Sequence, residues 1–207
     1  MEIKMQENKA WIHLTTLKPI TLGVSDLTPE SKQKVIDTTK HALEYNGETD
    51  TESVLQRCVI AQLAEQYIAQ HMKGHCINDE NVNINDPWTY AFDVLAGPEY
   101  YGMRIEVKTQ QSGAKWVSVN TGQSGLYPGS TGLNIKPFLT TGIPDIIVIF
   151  KTTELHRSVW TFEPFLIANQ EGLKEVVQKS NFTGYYINDR QRPSENNSNY
   201  FFYKGLH

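Results

Sequence analysis

The chain has 207 residues, 39% hydrophobic and 20% charged, which suits one domain with a single core and excludes a disordered chain. A formal charge of −4 excludes a protein that coats polyanions indiscriminately, although a local basic strip remains compatible with nucleic acid. Two cysteines, Cys58 and Cys76, exclude a disulfide scaffold, and the purest apolar run, Ile146 to Phe150, is too short to span a bilayer; a soluble cytoplasmic chain with no membrane partner is expected.

Residues 10–24 read as extended structure through Trp11, Ile12, Leu14, Leu17, Ile20 and Leu22, interrupted by Pro19 and Gly23. Leu27-Thr28-Pro29-Glu30 then places a cap residue before a proline at a first helical position. Val35, Ile36, Thr39, Ala42 and Leu43 carry the helical period, and Gly47 stops it. A second helix is expected over residues 52–72. Val54, Cys58, Ala61, Glu65, Ile68 and Met72 form its stripe, and one member is a carboxylate. Val59, Ile60, Leu63 and Tyr67 widen the apolar surface, so this helix should be well buried.

Residues 78–89 are a polar loop. Tyr90 to Leu95 read as a strand, Gly102 to Gln110 as a second, and Trp116 to Asn120 as its continuation or a third. Residues 120–134 hold Gly122, Gly125, Gly129 and Gly132 in a long loop of the kind often kept for function. Pro144 to Lys151 contain the most apolar strand, expected to be central, and Val159 to Phe165 form another. Gly172 to Ser180 read as a short helix, and Tyr200 to Tyr203 as a final strand in a polar, aromatic tail. The whole chain, 1–207, is expected to be one domain of α/β (α+β) class, with a central mixed sheet flanked by helices.

The chemistry concentrates on Met103-Arg104-Ile105-Glu106-Val107-Lys108. Side chains alternate across a strand, so Met103, Ile105 and Val107 share a core face while Arg104, Glu106 and Lys108 share the other. On the preceding strand Asp93 lies opposite the face of Phe92 and Val94. A hairpin would bring Asp93 beside Glu106 and Lys108. Carboxylates packed together repel, and a divalent cation reverses that cost. Magnesium takes one or two carboxylates, keeps several waters and leaves room for phosphate oxygens. A lysine two residues after Glu106 can orient the attacking water, help deprotonate it, or neutralise charge developing on the phosphorane. Glu-x-Lys also occurs at Glu2/Lys4, Glu7/Lys9 and Glu30/Lys32, but none of those sits in a strand that follows another strand bearing Asp. The literal Pro144-Asp145 opens an apolar strand with no lysine triplet behind it.

At Asp93 and Glu106-Val107-Lys108 the chain resembles the PD-(D/E)xK nuclease superfamily, with Phe92 where the family's name carries proline. The resemblance covers roughly residues 52–151, the catalytic core, and implies a restriction-endonuclease-like fold. It implies that Asp93 and Glu106 ligate Mg2+, with Mn2+ a possible substitute and the Val107 carbonyl a possible added ligand. Lys108 is then the catalytic lysine. Glu65, on the helix before the sheet, is then a ligand or a water-holding residue. The implied function is endonucleolytic hydrolysis of DNA, leaving 5′-phosphate and 3′-hydroxyl ends; RNA stays open as a substrate, and a homodimer is compatible with cutting two strands. The alternative is an inactive nucleic-acid-binding or assembly protein that keeps the fold.

Other residues carry weaker signals. Gln110, Lys115, Trp116 and Lys136 are candidate nucleic-acid contacts near the end of the catalytic strand and the glycine-rich loop. Asp86, before Pro87-Trp88, reads better as a turn residue than as a ligand. His71, His75, Cys76 and Cys58 lack the spacing of a zinc site, since Gly74 breaks the helix between the histidines. Arg190, Arg192 and Lys204, interleaved with Tyr185, Tyr186 and Tyr200, read first as a tail whose rings pack on the domain and second as a surface for single strands.

Overall fold

A computed structural model describes residues 9–45, 47–77, 91–111, 116–121, 132–181, 184–190 and 199–203. Helix α1 covers residues 9–14. This corrects the extended reading of 10–24. Ala10, Trp11 and Leu14 turn inward at helical spacing while Ile12 is exposed, and extended pairing begins only at strand β1, Ile20–Gly23. Helix α2, Pro29–Tyr45, starts where the sequence places it, with Thr28 Oγ1 accepting from the Ser31 N–H at 3.2 Å. Its buried stripe is Ser31, Val35, Thr39 and Ala42; Ile36 faces outward. Helix α3, Thr51–His71, is capped by Asp50, which accepts from the Ser53 N–H at 3.1 Å. Its middle, from Val59 to Gln66, is buried nearly all round.

The remaining elements supply the sheets. Strands β2 (His75–Cys76), β3 (Val94–Leu95) and β4 (Arg104–Gln111) follow α3. Strands β5 (Val117–Asn120) and β6 (Leu133–Asn134) and helix α4 (Lys136–Thr141) come next. Then come β7 (Ile146–His156), β8 (Val159–Ala168), helix α5 (Gln170–Val176), β9 (Val177–Lys179), β10 (Tyr185–Ile187) and β11 (Tyr200–Phe202). Among the described residues a seven-stranded sheet runs β1-β8-β7-β4-β3-β2, with β11 also pairing β8. A smaller sheet runs β6-β5-β10-β9. The large sheet is mixed: β4 and β7 are parallel and the other pairs antiparallel. A parallel pair needs a long crossover, and β5, β6 and α4 occupy that connection.

Strand β7 is central, as its apolar run predicts, and buried on both faces. Ile146, Val148 and Phe150 join α1, α2 and α3 on one side, while Ile147 and Ile149 join α4, α5 and the small sheet on the other. The sheet is thus flanked by helices, as the α/β expectation required. Of the two alternatives left for residues 116–120, the structure takes the separate strand rather than a continuation of β4, and that strand founds the second sheet. One further reading changes. The helix expected over 172–180 ends at Val176, and Val177–Lys179 become a strand because β10 pairs with them. Tertiary pairing overrides a local pattern there.

Helix α1 is clasped to the end of α3. Nε2 of His13 donates to the His71 carbonyl at 2.9 Å, and Nε2 of His71 donates to the His13 carbonyl at 3.0 Å. The two rings stack with centroids 4.2 Å apart, and Tyr100 extends the stack at 4.8 Å from His13. Burial holds the His71 ring below the ordinary histidine range; the bond to His13 opposes that, and the neighbouring ring reinforces it. A depressed folded-state value means that the unfolded chain takes up more protons as pH falls through about 6.5, so this contribution to stability is present above that pH and lost below it. Melting of wild type and His71→Gln at about pH 7.5 and 5.5 is expected to show the wild-type advantage shrinking on acidification. An advantage that stays constant would contradict this account.

Candidate active site

The register between β3 and β4 builds the site. Val94 lies opposite Ile105 and Leu95 opposite Arg104, so Asp93, one residue earlier, falls opposite Glu106. Main-chain bonds hold that extension: the Asp93 N–H donates to the Ile105 carbonyl at 3.0 Å, and the Val107 N–H donates to Asp93 Oδ2 at 2.7 Å. The carboxylate of Asp93 therefore takes the place that a strand carbonyl would fill. On β4 the alternation is as expected. Ile105 and Val107 enter the core against α3, and Glu106 and Lys108 share the other face, joined by a hydrogen bond from Lys108 Nζ to Glu106 Oε1.

Backbone groups also alternate along β4. The carbonyls of Met103 and Ile105 accept from the β3 side, from Ala96 and Asp93, whereas the Arg104 carbonyl accepts from Asp145 at the start of β7. Val107 follows the odd-numbered set, and its N–H already meets Asp93. Its carbonyl consequently points to the same edge as the Asp93 carboxylate.

Glu65 arrives from α3 and is buried. Its Oε2 lies 2.9 Å from Nζ of Lys34 on α2. Lys34 was missed by the sequence reading, although two signals pointed to it. It sits at the edge of the buried stripe of α2, and an acid inside an apolar helical stripe requires a partner.

The group is electrostatically strained. Burial pushes Glu106 up to about 7, reinforced by Asp93 and opposed by Lys108. Glu65 is likewise pushed up to about 7, by burial first, with Lys34 opposing and Asp93 reinforcing. For Lys108, burial acts to lower the ammonium, but Asp93 and Glu106 outweigh it and hold it above the usual lysine range. Lys34 is held high in the same way, against burial, by Glu65. Among the described residues no three His, Cys, Asp or Glu side chains gather into a metal-binding group. The available donors are the carboxylates of Asp93 and Glu106 and the Val107 carbonyl. Two hard carboxylates and a main-chain carbonyl are the kind of oxygen donors Mg2+ takes, so the chemistry of the donor set fits that ion.

The other sequence candidates lie elsewhere. Gln110 shares the Glu106–Lys108 face one step further along β4, opposite Lys151 of β7. Trp116 packs edge-on against Tyr186 at the start of the second sheet, with the Arg190 guanidinium 5.7 Å from its ring centre. Lys136 is the exposed first residue of α4. Lys115, Asp86, Arg192, Lys204 and most of the glycine-rich loop lie outside the described residues. Asp145 is occupied structurally: it forms a two-pronged pair with Arg104, at 2.7 and 3.1 Å, that pins the start of β7 to β4. His71 is committed to His13, and neither Cys58 nor Cys76 is in a disulfide, so among the described residues the zinc reading gains nothing.

Comparison with known proteins adds an independent line. The family described as bacteriophage T4 endonuclease IV matches residues 3–189. Endonuclease IV of Enterobacteria phage T4 is 43% identical over 174 residues, covering 84% of this chain and 94% of that protein.

Proposed function

The chain belongs to the bacteriophage T4 endonuclease IV family, and from that premise we propose that it is an endonuclease that hydrolyses DNA at a PD-(D/E)xK-type, Mg2+-dependent site formed by Asp93, Glu106 and Lys108. The observation that carries this reading is the β3–β4 register, which sets Asp93 opposite Glu106 with Lys108 bonded to Glu106. An accidental Glu-x-Lys triplet gives no reason for an aspartate to cap the same strand edge.

Each residue has a chemical task in this reading. Asp93 is fixed through Oδ2 by the Val107 N–H, which leaves Oδ1 for a cation. Glu106 has Oε1 on Lys108 and keeps Oε2 for the same purpose. Mg2+ bound there would polarise the phosphate and make its coordinated water more acidic. Lys108 lies where an ammonium can orient the attacking water and offset the negative charge that builds on the phosphoryl oxygens as the new P–O bond forms. The P–O3′ bond breaks, so the phosphate remains on the 5′ end and the 3′ oxygen leaves as a hydroxyl. Glu65, held by Lys34 and within reach of the charge on Asp93, offers a carboxylate oxygen that can accept a hydrogen bond from water.

The test is cleavage of circular, linear and single-stranded DNA with Mg2+, Mn2+ or EDTA, together with calorimetric titration of Mg2+. Internal cutting that needs the ion and stops in EDTA is expected. Neither cutting nor ion binding would favour a binding protein that retains the fold, and cutting in EDTA would remove the metal from the mechanism.

A further inference from the structure

We propose that Lys34 is a positioning residue of the active site, holding the Glu65 carboxylate in place and acting on cleavage through it. The proposal rests on the reading of Asp93, Glu106 and Lys108 as the cleavage site.

The geometry is that of a buried brace. Lys34 leaves α2 beside the stripe of Ser31, Val35, Thr39 and Ala42 and reaches α3, where Nζ meets Glu65 Oε2 at 2.9 Å. The two side chains are only 17% and 11% exposed. The same Nζ donates to the Ile77 carbonyl at 3.3 Å, and the Ile77 N–H donates to the Asp93 carbonyl at 2.9 Å. One ammonium thus ties α2, α3 and the main chain that carries Asp93.

Stability alone does not account for this pair. Two apolar side chains of similar volume would fill the space between α2 and α3 without the cost of desolvating two charges. A buried pair within electrostatic reach of Asp93 and Glu106 serves instead to present an acid at a set place. Its hydrogen bonds to Glu65 and Ile77 direct Lys34 into the protein, so it should affect turnover rather than substrate binding.

Kinetics of the full chain on an oligonucleotide with Mg2+ test this. Lys34→Met is expected to lower kcat by about 10- to 100-fold, the size of effect that a misplaced group produces, with KM within about twofold. Lys34→Arg should recover most of the rate. Glu65→Gln should lower kcat comparably, and Lys34→Met combined with Glu65→Gln should be no slower than Glu65→Gln alone. Oligonucleotide affinity in EDTA, read by fluorescence anisotropy, should be unchanged throughout. If Lys34→Met does not fold, the double variant, which leaves neither charge unpaired, still gives the comparison with Glu65→Gln. Wild-type kcat in folded Lys34→Met, multiplying effects of the two substitutions, or a change confined to KM would each overturn the role. An Asp93→Asn control that still cuts would overturn the site reading itself, and the role of Lys34 with it.

Discussion

Lys108→Met and Asp93→Asn are each expected to lower kcat for DNA cleavage by about three orders of magnitude, with the fold retained. The two losses should differ in kind. Asn at 93 keeps an oxygen to accept the Val107 N–H, so the strand edge survives, but it removes one of the two charges proposed to hold the cation. Mg2+ affinity by calorimetry should therefore fall along with the rate. Met at 108 keeps the length of the side chain and removes the ammonium that lies against Glu106. Both proposed ligands remain, so Mg2+ binding should persist while cutting is lost. Alanine at 93 is a poorer probe, since it also strands a buried N–H and costs about 1–3 kcal/mol of stability. Cleavage that survives both substitutions would place the active site elsewhere.

Gly74→Ala is expected to destabilise the fold by about 3 kcal/mol and to lower the melting temperature by about 6–12 °C. A Cβ at Gly74 would stand 2.0 Å from the Leu95 carbonyl oxygen and 2.8 Å from the Ala96 Cα. Both are main-chain atoms, at the end of β3 and just beyond it, and they cannot swing aside as a flexible side chain would. Relief requires β3 to move away from the end of α3, where the Gly74 N–H also donates to the Ala69 carbonyl at 2.8 Å. Because β3 sets the position of Asp93 against Glu106, the surviving folded protein should also cut more slowly. An unchanged melting temperature would show that the close approach relaxes without cost.

The elements most readable from sequence were those whose burial repeats within a single stretch. Helix α3 showed its stripe, β7 its unbroken apolar run, and β4 its division into Ile105 and Val107 against Glu106 and Lys108. The candidate site was legible for the same reason: a period of two sets charge on one face, and an aspartate on the preceding strand completes a hairpin. What escaped depends on partners distant in the chain. Residues 9–14 offered too short a window to separate a helical period from an extended one. Val177–Lys179 continue an apolar pattern from α5, and only pairing with β10 makes them a strand. Lys34 reads as one more polar residue of α2 until Glu65, 31 residues later, lies against it. The second sheet could not be foreseen from Val117–Asn120, because its antiparallel partner β10, and β9 which pairs with β10, come from beyond β8.

The strict alternation of β4 also limits how this chain can change in length. Ile105 and Val107 serve the core while Glu106 and Lys108 serve the site, so one residue gained or lost within 103–108 would exchange the two sets, turning the acid and the lysine toward α3 and the apolar pair onto the face of the site. The same slip would move Val107 off the Asp93 carboxylate and Arg104 off Asp145. Insertions and deletions are therefore barred from this strand by geometry alone, and variation in length among relatives must be absorbed elsewhere.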